Sequence, residues 1–173
     1  MCLLSKFIAL NWQFITGIST TVIALCALAF SIWQGIQTRK HNMLSFMPHL
    51  TISTNIDKGF FSIDLINNGI GPALIEKFLV KVNDEVISGQ GTEPIEKCIN
   101  KIFPELHFTS SYGSISKDYS MAAKETVPIL EIQFLQPYPY PSPEVIVCAF
   151  NRVSFQITYK SFYEEQFHFQ FPT

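Results

Sequence analysis

Six side chains in this chain suit a phosphate-bearing, base-stacking ligand. They are Arg152 with its neighbour Asn151, Lys97 and Lys101, and Tyr138 and Tyr140. A guanidinium is a planar fork that grips phosphate through two parallel hydrogen bonds, and lysines four residues apart lie one turn apart on a helix. Tyrosine rings fixed by flanking prolines offer faces on which adenine-like bases stack. The ordinary alternative for each is a solvated charge or a packing aromatic. A second local signal is Asn67-Asn68-Gly69-Ile70-Gly71-Pro72-Ala73. Its asparagines and glycines permit left-handed backbone and its proline fixes the way out, so the segment demands a tight, kinked connection between strands. It can also form a nest of N–H groups for an anion. No lysine or serine follows at phosphate-loop spacing, and a structural turn is the simpler reading.

Other chemistry finds no pattern. His41, His49, His107 and His168 share no metal-ligand spacing, so no metal site is expected. No nucleophile elbow, Walker lysine loop or dinucleotide fingerprint occurs, and no cofactor is implied. Asp84-Glu85 and Glu164-Glu165 fall in expected turns, where solvated acids are ordinary. The chain reads as a non-enzyme. Of its four cysteines, Cys2 and Cys26 fall near or within an apolar segment. Cys98 and Cys148 fit either one disulfide in an oxidising compartment or two thiols in a reducing one.

The elements that must position these residues read mostly as strands. Alternation or apolar runs predict strands at 49–54, 60–67, 73–82, a short one after the Asn83-Asp84 turn, 126–135, 144–150, 153–160 and 166–171. A helical insert runs from Thr92 to about Phe103, with Pro94 in its first turn and Ile95, Cys98, Ile99, Ile102 and Phe103 on one face. Residues 109–124 read as a polar loop. Residues 136–143 hold four prolines and cannot pair inside a sheet. The final hairpin sets Phe155, Ile157 and Tyr159 beside Phe167, Phe169 and Phe171 on one aromatic face.

Charge divides the chain. Residues 7–38 contain no Asp, Glu, Lys or Arg, whereas residues 41–173 hold 9 basic against 14 acidic groups, a net −5. This excludes a collagen-like or disordered chain, a disulfide miniprotein and a basic binder of duplex nucleic acid. The run from Phe14 to Trp33 is twenty residues, which as a helix spans about 30 Å, the thickness of a bilayer's hydrocarbon core. Trp12 and Trp33 stand at its edges, at headgroup level. The run is too long for a signal h-region, so a retained anchor is expected rather than a core helix or cleaved signal. Arg39 and Lys40 outnumber Lys6, which places the carboxy-terminal domain on the cytoplasmic side of the inner membrane. The expected organisation is a flank at 1–11, a transmembrane helix at 12–36, a junction at 37–48 and a soluble β-rich domain at 49–173.

Within the anchor, Gln13, Gly17, Thr20, Ala24, Ala27, Ser31, Gln34 and Thr38 follow a 4-3-4-3 spacing, and all are small or polar. Such a stripe suits a helix-association seam in a homo-oligomer, or the lining of a narrow pore. Scattered small residues in a monomeric anchor are the alternative. The fold class is thus a membrane-anchored, mainly β (α+β) chain: one N-terminal transmembrane helix, then a small β-sandwich or barrel with one helical insert.

The order of a short amino-terminus, one apolar helix, the RKHN-x-LSF-x-P junction, the NNGIGPALI turn and the ITYKSFYEEQF hairpin resembles small bacterial single-pass membrane proteins with a cytosolic β-domain. By layout it also resembles the small membrane effector of type III CRISPR systems. That resemblance implies an antiviral sensor-effector whose oligomeric domain binds cyclic tetra-adenylate and whose helices then perturb the bilayer. On it, Arg152, Asn151, Lys97, Lys101, Tyr138 and Tyr140 are the ligand-binding candidates, and Gly17, Thr20, Ala24, Ala27 and Ser31 carry helix association. The other reading is a non-catalytic membrane-complex or envelope subunit whose β-domain binds a protein.

Overall fold

Charge-free, bulky residues from Phe14 onward form a helix because nothing in the run breaks one, and the first proline beyond it stands at position 48. The computed structural model describes residues 2–135 and 140–172, with the side chains of 2–11 and 13 excepted. Helix α1 runs from Cys2 to Ser45. Its stretch from Phe14 to Ser45 is long and apolar enough to cross a membrane, and none of its apolar window is buried within the chain. Two compact units result, 1–44 and 45–173.

The second unit is a pair of antiparallel sheets with two helices, an α+β arrangement. Strands β1 (Leu50–Asp57), β2 (Phe60–Asn67), β7 (Thr126–Phe134) and β5 (Phe108–Tyr112) form one sheet in the order β1-β2-β7-β5. Strands β4 (Glu85–Val86), β3 (Ala73–Val82), β8 (Val153–Lys160) and β9 (Gln166–Phe171) form the other in the order β4-β3-β8-β9, with β6 (Ser120–Met121) also on β3. The β2–β3 connection carries the chain from one sheet to the other. Alternation decides what is buried: Val153, Phe155, Ile157 and Tyr159 of β8 point inward, while Ser154, Gln156, Thr158 and Lys160 lie less covered. Helix α2 (Glu93–Ile102) buries Ile95, Cys98, Ile99 and Ile102, the face that its spacing predicts, and packs on β3.

Two expectations are corrected. Residues 144–150 are not a strand: α3 (Pro143–Phe150) is a second helix where only one was expected. Its fully buried side chain is Ile146, with Ala149 and Phe150 partly buried against the core, which is i, i+3, i+4 spacing. Val145 and Val147 stay exposed. Pro143 at the first turn lacks a ladder donor but fits a helix start, and the six-residue apolar run from Val145 to Phe150 is too short for composition alone to decide. The other correction concerns 109–124, which is not all loop. It contains β5, which pairs with β7, and β6, which pairs with β3. β5 is an edge strand whose Thr109, Ser110 and Ser111 are exposed, so no apolar alternation announced it.

Candidate functional site

The β3–β4 turn gathers most of the candidate cations. Asn83 and Asp84 have φ of 50° and 65°, the left-handed backbone a two-residue hairpin turn needs. The Asn83 N–H donates to the Arg152 carbonyl at 2.8 Å, and the Arg152 Nε–H donates to Asn83 Oδ1 at 3.0 Å. Next along the chain, Glu85 receives the Lys101 ammonium at 2.8 Å. Lys97 donates to the Ser88 carbonyl at 3.2 Å and pairs with Glu93 at 3.3 Å. The hydrogen bond from Lys101 holds the Glu85 carboxyl below its usual range, and the one from Lys97 does the same for Glu93. Arg152, Lys97 and Lys101 thus border one hairpin, but both lysines already carry carboxylate partners.

The remaining candidates lie elsewhere. Asn151 caps the end of α3 and lines a cavity of about 110 Å³ with Thr54, Ile56, Val147, Phe150 and Phe171. Its surroundings are apolar. Tyr140 stands over the β1–β2 turn, where a Cβ on Gly59 would lie 3.3 Å from its ring; Gly59 takes the positive φ of that turn. The eight residues of α3, about 12 Å of helix, separate Tyr140 from Arg152. Tyr138 lies outside the described residues. Among the described residues, Tyr140 and Asn151 line separate depressions.

The Asn67–Ala73 segment is a clasp. Asn67 is fully buried, and its Oδ1 accepts from the backbone N–H of His49 at 3.1 Å and of Gly69 at 3.0 Å. Its Nδ2 donates to the carbonyls of Gly71 at 2.9 Å and Ala122 at 3.0 Å. The amide thereby ties together the β2–β3 connection, the residues just before β1 and the approach to β7. A Cβ on Gly71 would overlap the Phe46 carbonyl, and one on Gly69 the Met47 carbonyl. Close backbone approach explains both glycines. The Gly69 N–H is spent on Asn67, so the structural reading of this motif fits better than the anion nest.

Sequence reasoning passed over one exposed surface. On the outer face of the second sheet, Lys77, Leu79, Gln156, Thr158, His168 and Gln170 line a depression of about 350 Å³. The ladders β3–β8 and β8–β9 place these residues in rows, Lys77 beside Thr158 beside His168 and Leu79 beside Gln156 beside Gln170. Gln156 donates to Gln170 at 3.2 Å, and Thr158 lies 3.3 Å from His168 Nδ1. Below them Glu76 pairs with Lys160 at 2.6 Å and accepts from Gln166 at 2.9 Å. The Lys160 hydrogen bond lowers the Glu76 pKa, and Glu76 raises that of Lys160 in return. The signal for this surface was the polar half of the β8 and β9 alternation, read only for its aromatic half.

Cys98 and Cys148 are free, Cys98 buried on α2 and Cys148 exposed on α3. Burial pushes the Cys98 thiol up to about 12, which removes it as a nucleophile near neutrality. Among the described residues, no group of three His, Cys, Asp or Glu side chains is placed to hold a metal ion. On the α1 stripe, Thr20 Oγ1 donates to the carbonyls of Thr16 and Gly17, and Ser31 Oγ to Ala27 at 2.8 Å. Their hydroxyls are satisfied within the helix, leaving a smooth surface of small side chains. No family model matches the chain, and neither does any curated protein sequence.

Proposed function

We propose that this chain is a non-catalytic, single-pass protein of the inner membrane whose β-domain, on the cytoplasmic side, recognises a protein partner. The observation that carries this reading is the uncovered helix. Phe14, Ile15, Ile18, Val22, Ile23, Leu25, Leu28, Phe30, Ile32 and Trp33 are each more than half exposed, while the β-domain completes a core of its own. Leaving ten such side chains in water rather than an apolar phase costs on the order of 20 kcal/mol, more than the whole stability of a typical domain. A bilayer removes that cost. Arg39 and Lys40 after the span favour a cytoplasmic domain, and the free thiols of Cys98 and Cys148 accord with a reducing compartment. A protein partner accords with the β-domain's net −5 and with Lys97, Lys101 and Lys160 each already paired to a carboxylate. The test is fractionation of the full chain with protease protection. Retention in the membrane after alkaline carbonate, at full-length mass and with the β-domain accessible from the cytoplasmic face, is expected. A mature chain lacking the helix, or one recovered in the soluble fraction, would overturn it.

A second reading has one observation in its favour. Arg152, Lys101 and Lys97 border the same hairpin, and an oligomer would multiply them. In this reading the chain is an antiviral sensor-effector that binds a cyclic oligoadenylate such as cyclic tetra-adenylate, and ligand occupancy repacks the membrane helices. Titration of the detergent-solubilised chain with cyclic tetra-adenylate would then give saturable, salt-sensitive binding, weakened at least tenfold by Arg152→Ala. No saturation, or an unaffected variant, removes this reading and leaves the first standing.

A further inference from the structure

Apolar side chains scattered singly over a surface are ordinary, whereas a group of them marks a place that something covers. Among the described residues of 45–173, the two most exposed large apolar side chains are Phe162 at 77% and Ile70 at 63%. Phe162 is barer than Trp12, the most exposed of those on α1 at 68%. Both lie at one end of the paired sheets. Ile70 is in the connection between the end of β2 and the start of β3, and Phe162 in the one between the end of β8 and the start of β9. The pairing of Leu74 with Lys160 sets these two connections side by side. Pro72, Leu74 and Phe162 line one depression there of about 250 Å³, with Lys160 and Glu164.

Neither residue is bare because its loop is slack. The Ser161 N–H donates to the Glu165 carbonyl at 2.9 Å, and the Glu164 N–H donates to the Ser161 carbonyl at 3.0 Å. The buried Ser161 Oγ accepts from the N–H groups of Tyr163 and Glu165, each at 3.2 Å, so the turn is anchored and holds Phe162 outward. Ile70 stands between Gly69 and Gly71, whose backbones press on the carbonyls of Met47 and Phe46. Phe46 and Met47 are the first residues after α1, which ends at Ser45. The chain itself therefore brings this end of the domain to where the helix stops. The charge-free run ends at Thr38, and residues 39–45 add seven helical residues. Those span about 10 Å, little more than the roughly 5–8 Å of a headgroup layer.

We infer that this end of the β-domain docks on the lipid surface beside its anchor, with Phe162 and Ile70 entering the boundary between headgroups and acyl chains. The inference rests on the reading that α1 spans the bilayer. The covalent junction selects the occupant, because a membrane is held beside this end at all times whereas a partner must be found. Two side chains would not keep a free domain on a bilayer. Joined to a span, the contact is intramolecular and needs little affinity of its own. The depression carries one cation, Lys160, already paired with Glu76, and one carboxylate, Glu164. The attraction is therefore apolar, and a zwitterionic bilayer suffices. Docked in this way, the domain turns its opposite end, with the Asn83-Asp84 turn, away from the membrane and toward a partner.

The test uses the full chain in phosphatidylcholine vesicles that carry a headgroup spin label, which quenches tryptophan. With Trp12 and Trp33 changed to Phe, Phe162→Trp should emit at shorter wavelength and be quenched at least twofold more than Val86→Trp, which lies on β4 at the opposite end. Equal quenching at the two positions, or none at 162, would overturn the inference. Emission at 162 that is blue-shifted but unquenched would also overturn it, since a second copy or another protein then covers the residue. Ile70→Asp in the Phe162→Trp chain should at least halve the quenching with an unchanged melting profile; unaltered quenching counts against the docking. The natural chain reports on the anchor separately through Trp12 and Trp33. If it washes off the vesicles, or if both tryptophans escape the quencher, the reading of α1 fails and this inference with it. Quenching there with none at 162 removes the docking alone.

Discussion

Asn67 shows how much one side chain can hold. Its four hydrogen bonds go to four separate backbone groups, and no buried side-chain polar atom among the described residues lacks a partner. Asn67→Ala strands those buried groups and should cost about 3 kcal/mol or more in urea unfolding. Asn67→Asp should be no milder, because a carboxylate would then face the carbonyls of Gly71 and Ala122. The sequence marks the Asn-Asn-Gly-x-Gly-Pro stretch as a kink. It does not say what the kink clasps, because Ala122 and His49 are distant in the chain. Cys98 gives a prediction of alkaline behaviour. Its folded pKa is raised from 9.0 to about 12, so the protonated thiol's contribution is complete below pH 9.0 and is lost as pH rises toward 12. A thiol reagent at neutral pH should label exposed Cys148 in the native chain and reach Cys98 only after denaturation. On the acid side the sign reverses. Glu76 is held low by Lys160, so the pair's stabilisation is present above the ordinary carboxylate range and is lost as pH falls through the folded pKa of Glu76. Glu76→Gln should remove that part of the acid sensitivity in a series of melts against pH.

Helix α3 tests the element scale. Read as a strand, residues 144–150 would set Ile146, Cys148 and Phe150 on one face; read as a helix, they set Ile146, Ala149 and Phe150 there. The structure follows the second pattern, with Ile146 buried and Cys148 exposed. Ile146→Ala should therefore cost about 2–4 kcal/mol in chemical unfolding, whereas Cys148→Ser should change little. Equal effects would contradict the helix. Strands β2, β3, β8 and β9 and helix α2 were legible because each carries a full period of its pattern. β5 and β6 were not, since an exposed edge and a two-residue pairing bury too little apolar surface to mark the sequence. Tertiary partners alone define them.

At the scale of the whole molecule, the sides of α1 remain uncovered after folding. In membranes, Ala24→Leu should weaken crosslinking between copies through α1, because a bulky side chain prevents the close backbone approach that small residues allow. Unchanged crosslinking would dismiss the Gly17, Thr20, Ala24, Ala27 and Ser31 seam. The sequence by itself determined the division into a helix with a long charge-free run and an acidic β-rich domain, because burial of apolar groups scales with local pattern and length. It also determined which face of α2, β8 and the final hairpin turns inward, since periods of 3.6 and 2 leave no other choice. Tertiary structure alone decided that Lys97, Lys101 and Arg152 meet at one hairpin with acids already on the lysines. It alone put Tyr140 at the other end of α3 and made β9 the last strand of the second sheet. Those outcomes depend on which strands become neighbours, and strand pairing joins residues far apart in sequence through backbone hydrogen bonds that carry no local signature.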